Sequence, residues 1–578
     1  MSIHAAIACA VAAATLPSLL AYNVAPSPTF LNQALAFALW PGFVLACAPA
    51  FARRGSQPLY VALALLVMAV AASWRLGALP ASLALSAGGS LLACAVVVAG
   101  GAGVREGDAG PSDRSVDAFA AFCWGWLVAG LLNVAVALVQ VFFPDLADGD
   151  WIAHSGIAGR AVGNLRQPNH LSSLLLWSCI GVIALHQLGR IGRKFAALAF
   201  AGLVFAVVLT ASRTGLVSVL LLALWGAFDR RLSRSTRALA LAAPLLYALA
   251  WLAMAQWAAL SQHSFGGAQR LAETDISSSR FAIWRDTLEL IRMQPWTGVG
   301  FGEFNFAWTL TPLPNRPTAL FDHTHNLPLQ LAVELGLPLA SVVLALLLWS
   351  LGRGAKQSLA GEGDLGTAQR SAMVMVLMIG LHSLLEYPLW YSYFLLPTAW
   401  AWGFVLARPA PSDERAPQPV APSRALTVAS LAVVACSVFA VLDYSRVTAI
   451  FTAADNAPPL EQRIAIGQRS LLFGHHADYA AVTSGVPMAD AVHAFDRATH
   501  YLLDSRLMIA WARSLAQRGE LDAARHVAER LREFKKEDAA DFFEACPVAS
   551  SQAVAGQAFQ CALPARAPGW RAFLAHPP

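Results

Sequence analysis

The stretch HNLPLQLAVELGLPLASVVLALLLWSL, residues 325–351, decides the fold class of this chain. A helix that spans a bilayer needs about 20 mostly apolar residues, and this stretch supplies them, with Glu334 as the one acidic or basic residue after His325. Together with this stretch, the predicted spans lie at roughly 3–22, 31–51, 58–76, 81–102, 117–141, 170–188, 194–211, 214–228, 237–259, 325–351, 371–389, 390–407 and 425–443. They predict an all-α polytopic membrane protein with about 12–13 transmembrane helices.

The composition agrees with this fold class. Hydrophobic residues make up 57% of the 578 residues and charged residues make up 13%, whereas a soluble domain carries roughly 25% charged residues. An unusually large soluble core would not explain the deficit, because such a core still needs a polar shell. The 40 basic and 35 acidic residues are too nearly balanced to predict a nucleic-acid partner.

Basic residues concentrate on alternate connections between the predicted spans, which predicts the orientation of the chain. The rich connections carry Arg53, Arg54, Arg105, Arg114, Arg190, Arg193, Lys194, Arg230, Arg231, Arg234, Arg237, Arg353, Lys356, Arg370, Arg408, Arg415 and Arg424. On the other side, Arg75 stands alone between spans 3 and 4, and Arg213 stands alone between spans 7 and 8. Because arginine-rich loops stay in the cytoplasm, we expect the N-terminus inside and, after an odd number of spans, the C-terminal tail outside.

Hydropathy divides the chain into a membrane domain, residues 1–443, and an α-helical tail, residues 444–578. Within the tail, AWARSLAQRGELDAARHVAERLRE (510–533) has the helix–glycine–helix rhythm of a tetratricopeptide-like hairpin. The Pro-rich segment 408–424 predicts a cytoplasmic linker. Two long outer segments, at about 142–169 and 260–324, are candidates for function, because long loops in compact proteins usually have one.

The cysteines divide by location. Six lie in the predicted spans, where cysteine behaves as a small hydrophobic residue. Cys546 and Cys561 lie in the tail. If the tail is outside the cytoplasm, its compartment is oxidising, and we expect these two residues to form a disulfide.

The strongest candidate site is FDHTHNLPLQLAVELGLPLA, residues 321–340. Asp322, His323, His325 and Asn326 stand at the outer mouth of a long apolar helix, where titratable groups are costly and usually functional. Histidine suits general-base catalysis because its pKa lies near the operating pH. Two alternatives stay open: the histidines anchor the helix end, or the HxH spacing holds a metal ion with Asp322 and Glu303.

Further polar segments lie at the predicted outer boundary. They are GNLRQPNHLSSLLLW (163–177) with Gln167 and Asn169, LTASRTGL (209–216) with Arg213, SSSRFAIWRDTLELIRMQPWTGVGFGEF (277–304) with Arg280, and HSLLEYPLWYSYF (382–394) with Glu386 and Tyr391. Arg213 has the chemistry to bind a diphosphate, a lipid head group or a carboxylate. Helix capping is an alternative role for Asn169, and an aromatic belt is one for the tyrosines. The GVGFGEF string lacks the strand and lysine of a nucleotide loop, so we expect a flexible hinge there.

The order of these motifs resembles the O-antigen ligase superfamily. The resemblance rests on QPN before a span, SRTG between spans, R-x3-W…P-x-x-G-x-G-x-x-x-F in a long outer loop, and HTHN followed by Gly336. QPNHL, EYPLWYSYF and the tail stretch RSLLFGHHADYAAVT (469–483) are similar to one branch of it, the bacterial protein O-oligosaccharyltransferases.

The resemblance implies a function. Members of this branch move a preassembled oligosaccharide from undecaprenyl diphosphate to Ser or Thr hydroxyls of periplasmic proteins such as pilin, at the outer face of the bacterial inner membrane. His325 would be the general base, Asn326 would orient it or begin the helix, and His323 would support it. The residues that would bind the lipid diphosphate or the glycan are Arg213, Arg280, Gln167, Asn169, Tyr391 and Glu386. The transfer would invert the anomeric carbon and need neither a metal ion nor another cofactor.

Two other functions remain open at this point. An O-antigen ligase would join the same lipid-linked glycan to lipid A-core, but the helical tail favours the protein-glycosylating branch. A transporter of lipid-linked glycans would show inverted repeats and midplane charges, whereas the polar residues of this chain gather at one face.

Overall fold

The computed structural model describes residues 2–47, 55–106, 114–272, 278–314, 316–407, 422–486, 491–546, 558–566 and 569–574. Across these residues the regular secondary structure is helical. The first helices are α1 (Ile3–Leu19), α2 (Phe30–Cys47), α3 (Gln57–Leu76), α4 (Ala81–Glu106), α5 (Arg114–Phe142), α6 (Pro168–Gln187), α7 (Arg193–Leu209), α8 (Arg213–Phe228) and α9 (Arg234–Ser261). They are followed by α10 (Gly266–Ala272), α11 (Ser278–Met293), α12 (Phe304–Leu310), α13 (Leu327–Ala360), α14 (Gly363–Ser383), α15 (Ser392–Leu406) and α16 (Arg424–Phe451). The tail adds α17 (Leu460–Gly467), α18 (Gly474–Thr483), α19 (Ala491–Ala498), α20 (Ser505–Gln517), α21 (Leu521–Glu533) and α22 (Ala540–Phe543).

The chain is an all-α polytopic membrane protein, as the sequence predicts. Each predicted span coincides with one of these helices. Among the described residues, eight helices are both long and apolar enough to cross a membrane, namely α2, α3, α4, α5, α6, α9, α13 and α16. The helices α1, α8 and α15 are apolar but shorter. Several helices are longer than their predicted spans, because hydropathy marks the apolar part of a helix and not its polar ends.

The linker and the tail boundary illustrate that difference. Most of the predicted linker, residues 408–421, lies outside the described residues. The predicted boundary at 443 falls inside α16, which continues to Phe451. The helix therefore passes from apolar to polar sequence without a break.

The described residues fall into two compact units, which do not follow the order of the chain. The first unit contains residues 1–63, 90–274 and 345–441. The second contains residues 64–89, 275–344 and 442–578. The long outer loop before α13 and the C-terminal tail therefore belong to one unit.

The first unit is a helical bundle around an aromatic core. The Phe122 and Trp400 rings stack with centroids 4.7 Å apart, and Trp126 meets Trp177 edge to face at 4.8 Å. Small residues let the helices approach closely: a Cβ at Gly125 of α5 would contact the carbonyl oxygen of Ala10 in α1. Close packing over small residues is how helices associate in a bilayer, where burying apolar surface brings no gain.

Arginine-rich connections meet one another within the first unit. Arg190 pairs with Asp117 at 2.6 Å, and Arg370 pairs with Asp229 at 2.7 Å. Each pair joins two connections that the charge pattern assigns to the same side. The contacts agree with a common side for these connections, and the identity of that side as cytoplasmic stays a prediction.

The second unit builds a core from the outer loop and the tail. All seven residues of α12 are buried, and Trp308 of α12 meets Phe534 beyond α21 at a ring distance of 5.7 Å. The helices α20 and α21 form a hairpin around Gly519, which has a positive φ of 82°. In the same unit, Cys546 and Cys561 form a disulfide with Cα atoms 5.2 Å apart.

A break in α13 shapes the outer loop. Gly336 has φ 74° and ψ 161°, a conformation that essentially only glycine adopts. The backbone of the GVGFGEF segment pairs with the opened helix: Val299 N–H donates to Val333 O at 2.8 Å and Gly300 N–H to Glu334 O at 3.0 Å. The expectation of a flexible hinge is therefore wrong for this segment, because its glycines allow close backbone pairing.

Candidate active site

The histidine turn, residues 321–326, precedes α13 and has no regular secondary structure. Asn326 begins the helix, since its Oδ1 accepts from Leu329 N–H at 3.0 Å. His325 has a positive φ of 56°, which is uncommon for a residue other than glycine. Such strained backbone persists only where its surroundings hold it, and it clusters at functional sites.

Neighbouring helices hold this turn through Thr324. The indole N–H of Trp284, in α11, donates to Thr324 O at 3.0 Å. Thr324 N–H donates to the Gln330 side-chain oxygen at 2.8 Å, and its hydroxyl donates to Asn326 O at 2.8 Å. The backbone beside His325 is therefore fixed from α11 and from α13.

The two histidines lie together and interact with an acid. Their rings are 4.3 Å apart between centroids, and His323 Nδ1 contacts Asp322 Oδ1. Burial alone would raise the pKa of Asp322, but its hydrogen bond and electrostatic interaction with His323 lower that pKa below its usual value. Asp322 is therefore a carboxylate that orients the buried His323.

His325 is held as a neutral imidazole. Burial and, to a smaller extent, electrostatic interactions with His323 and Arg280 lower its pKa from 6.5 to about 3. Arg280 lies in the first turn of α11, one turn before Trp284. The R-x3-W motif thus anchors α11 to the histidine turn through the tryptophan and brings the arginine's charge to bear on the imidazole.

The structure gives Glu303 a different partner from the one considered for a metal site. Glu303 Oε2 lies 2.6 Å from His500 Nδ1 in the tail, and both side chains are buried. Within the described ranges, no three His, Cys, Asp or Glu side chains are arranged to hold a metal ion. The metal alternative for HTHN therefore has no ligand set among these residues.

The remaining predicted site residues lie in the first unit, where Asn169 is the central group. Asn169 Nδ2 donates to Glu386 at 3.1 Å, and its Oδ1 accepts from the Ser212 hydroxyl at 2.7 Å. Ser212 caps α8, whose first residue is the exposed Arg213. Asn169 therefore links Glu386 to Ser212, the residue that caps α8. These contacts go beyond the helix capping that was an alternative role for Asn169.

Gln167 and Tyr391 flank a buried histidine that the sequence did not single out. The Gln167 side chain caps α6 by accepting from His170 N–H at 2.8 Å. The Tyr391 ring meets the His170 ring at 4.5 Å, and His170 Nδ1 lies 3.2 Å from the Tyr393 hydroxyl. A second buried histidine, His382, lies 6.0 Å from His170 between ring centroids.

The site residues thus form two clusters, one in each unit. His323, His325, Asn326 and Arg280 lie in the second unit, and the others lie in the first. His170 was detectable in principle, because an ionisable side chain inside a span is a functional candidate by default. The contact of Glu303 with the tail could not be detected from the sequence, because it joins residues 197 positions apart.

Three parts of the chain match known protein families. Residues 198–344 match the O-antigen ligase family, and residues 371–544 match the C-terminal part of a virulence factor membrane-bound polymerase family. Residues 161–186 match a protein glycosylation ligase family. The first match contains His325 and both arginines of the candidate site, the second contains Glu386 and Tyr391, and the third contains Gln167 and Asn169.

Two curated relatives come from Acinetobacter baylyi. A general O-oligosaccharyltransferase is 27% identical over 288 residues, which cover 48% of this chain and 49% of the relative. A ComP-specific O-oligosaccharyltransferase is 28% identical over 286 residues, covering 47% of each. The chain thus spans about half the length of the curated relatives it matches. The predicted resemblance to the O-antigen ligase superfamily and its protein-glycosylating branch is confirmed.

Proposed function

Because the chain resembles the O-antigen ligase superfamily and its protein O-oligosaccharyltransferases, we propose that it is a glycosyltransferase of that kind. It transfers a preassembled oligosaccharide en bloc from undecaprenyl diphosphate to Ser or Thr hydroxyls of a periplasmic protein such as pilin. The observation that carries the proposal is the histidine turn. It places the His323 and His325 rings 4.3 Å apart between centroids, just before a helix that is long and apolar enough to cross a membrane.

His325 acts as the general base. Its neutral imidazole takes the proton of the acceptor hydroxyl as the hydroxyl oxygen attacks the anomeric carbon. The bond from that carbon to the diphosphate breaks, and the pair of electrons leaves with the diphosphate. Attack from the face opposite the leaving group inverts the anomeric carbon, and the imidazolium later returns its proton to water.

Arginines stabilise the leaving group. A guanidinium binds phosphate oxygens through two parallel hydrogen bonds, and charge placed where the transition state develops it is usually the largest catalytic contribution. We assign this role to Arg280, whose charge already acts on His325, and to Arg213, as the resemblance implies. In this proposal the arginines take the part that a metal ion plays in other transferases.

In this proposal the lipid-linked glycan is bound by Asn169, Glu386, Gln167 and Tyr391. A carboxylate and an amide that already hydrogen-bond to each other offer the acceptors and donors that sugar hydroxyls need. His323 positions His325 through ring contact and is itself oriented by Asp322.

The location follows the charge pattern. We propose that the protein lies in the bacterial inner membrane with the histidine turn and the tail 444–578 on the periplasmic side, and the linker 408–424 in the cytoplasm. The disulfide in the tail supports this orientation, because disulfides persist in oxidising compartments.

Purified full-length protein in proteoliposomes tests the function. The donor is a synthetic undecaprenyl-diphosphate oligosaccharide, the acceptor is purified pilin, and intact mass spectrometry measures the gain of one oligosaccharide. We expect His325→Ala to lower the rate by about 10²-fold or more, the usual contribution of general-base catalysis. His263→Ala, an exposed histidine in the first unit, is the matched control and keeps the wild-type rate.

Other outcomes decide between the alternatives. Full activity of His325→Ala removes the general-base assignment. Glycan found on added lipid A-core while pilin stays unmodified supports the O-antigen ligase function, which the match over residues 198–344 favours on its own. Movement of the lipid-linked glycan across the bilayer without transfer supports a transporter.

A further inference from the structure

Two buried polar side chains in the outer loop have no part in the proposed chemistry. Glu303 and Asn305 flank Phe304 at the start of α12, and both are almost fully buried. Glu303 pairs with His500, as described above. Asn305 Oδ1 accepts from Leu503 N–H at 2.8 Å. Both side chains therefore contact the same short tail segment, residues 500–504.

Asn305 also reaches the histidine turn. Its Nδ2 donates to Phe321 O at 2.8 Å. Phe321 is the first residue of the turn, and its ring meets the His325 ring edge to face at 5.5 Å. A single buried amide therefore joins the tail backbone to the backbone of Phe321, at the start of the histidine turn.

The amide fits this place because its two ends differ. A backbone N–H can only donate and a backbone carbonyl can only accept, so the bridging group must accept at one end and donate at the other. A carboxylate of the same shape would satisfy Leu503 but would set an oxygen against the carbonyl oxygen of Phe321. The bridge is therefore specific for an amide rather than for a side chain of that size.

The tie at Phe321 complements the ties at Thr324. Trp284 and Gln330 hold Thr324 from α11 and α13, whereas Asn305 holds the opposite end of the turn. Of the three side chains Trp284, Gln330 and Asn305, Asn305 is the one that also hydrogen-bonds to the tail, through Leu503 N–H. The positive φ of His325 needs a frame that is held at both ends.

We propose that Asn305 is a positioning residue that couples tail residues 500–504 to His325, so that the tail is part of the catalytic frame. This inference rests on the proposed general-base role of His325. Asn305 touches neither the donor nor the acceptor, and it acts by holding the imidazole where the acceptor hydroxyl arrives.

The test uses the proteoliposome assay with the full-length protein. We expect Asn305→Asp to lower kcat by about 10–100-fold, the scale of a misplaced catalytic group, while KM for the lipid-linked donor and for pilin changes by less than about 2-fold. Asn305→Ser is neutral and smaller, so it avoids burying a charge and gives a second measurement if the aspartate variant does not fold. Asn456→Asp, at an exposed tail asparagine, is the matched control.

A second background separates positioning from general loss of structure. In His325→Ala protein, Asn305→Ser should lower the residual rate no further, because the group that Asn305 positions is gone. A further loss there, or wild-type kcat in the Asn305 variants, overturns the proposal. If His325→Ala itself retains full activity, the general-base role of His325 has failed, and the coupling fails with it. If only the Asn305 prediction fails, the proposed function stands.

Discussion

Replacing Gly336 with alanine should disrupt the second unit, because this glycine allows α13 to open. Its φ of 74° and ψ of 161° lie in a region that side chains with a Cβ avoid. A Cβ built there overlaps the carbonyl oxygen of Trp296 and lies 2.8 Å from Gly298 N. Both contacts are with backbone atoms, which cannot turn aside as a flexible side chain would.

The magnitude follows from the conformation and from the hydrogen bonds that the overlap breaks. A non-glycine residue in this region costs about 1–3 kcal/mol. Three backbone hydrogen bonds join the segment 295–300 to the opened helix: Leu337 N–H to Pro295 O at 2.7 Å, and the two from Val299 and Gly300. At about 0.5–1.5 kcal/mol each, their loss brings the total to roughly 3–7 kcal/mol.

The assay is thermal unfolding in detergent, followed by glycan transfer. At about 2–4 °C per kcal/mol for a body of 150–250 residues, Gly336→Ala should lower the midpoint by at least roughly 6 °C. The matched control is Gly352→Ala in the same helix, where a Cβ meets nothing within 4 Å. That control should be neutral or gain about 0.5–1 kcal/mol, since alanine is the better helix former. Equal midpoints for the two variants would refute the reasoning.

Further predictions concern pH, the first-unit cluster and the tail. Burial, His323 and Arg280 lower the pKa of His325 to about 3, so this base takes up a proton only at a pH far below 6.5. We therefore expect kcat/KM to stay constant from about pH 8 down to about pH 5. A fall centred near pH 6.5 would contradict this. Asn169→Asp sets a second carboxylate against Glu386 at 3.1 Å, and thermal unfolding should show a loss of about 1–3 kcal/mol. An unchanged midpoint would argue against that contact. Cys546→Ser opens a disulfide with a sequence separation of 15 and should cost about 3 kcal/mol, whereas Cys436→Ser, at an unpaired cysteine, should not change the unfolding midpoint.

The sequence predicted the membrane helices and the histidine turn for a local reason. Hydropathy over a window of about 20 residues marks a span without reference to other spans, and HTHN lies next to such a window. The break at Gly336 is also a local feature, but glycine is common in membrane helices. A glycine in the sequence therefore does not by itself predict a break in a helix. The conformation becomes evident only when the backbone of residues 295–300 is seen beside it.

The tail's contribution to the site was beyond prediction for a different reason. Asn305 and Leu503 are 198 positions apart, and neither belongs to a pattern that links an outer loop to a helical tail. The seven residues FNFAWTL form too short an apolar run to distinguish a buried helix from a membrane-surface segment. The sequence therefore predicted the outer loop and the tail as separate parts, whereas α12 of the loop packs in a core shared with the tail.

This arrangement explains how an irregular turn serves as a rigid site. The histidine turn lies outside regular helix and sheet, so most of its buried backbone groups need partners other than a helix or sheet neighbour. Trp284, Asn305 and Gln330 supply these partners from α11, α12 and α13. Because α12 is packed among tail helices, the position of His325 depends on sequence far from the membrane spans. We therefore expect substitutions in the tail's core to lower the transfer rate even where they leave substrate binding unchanged.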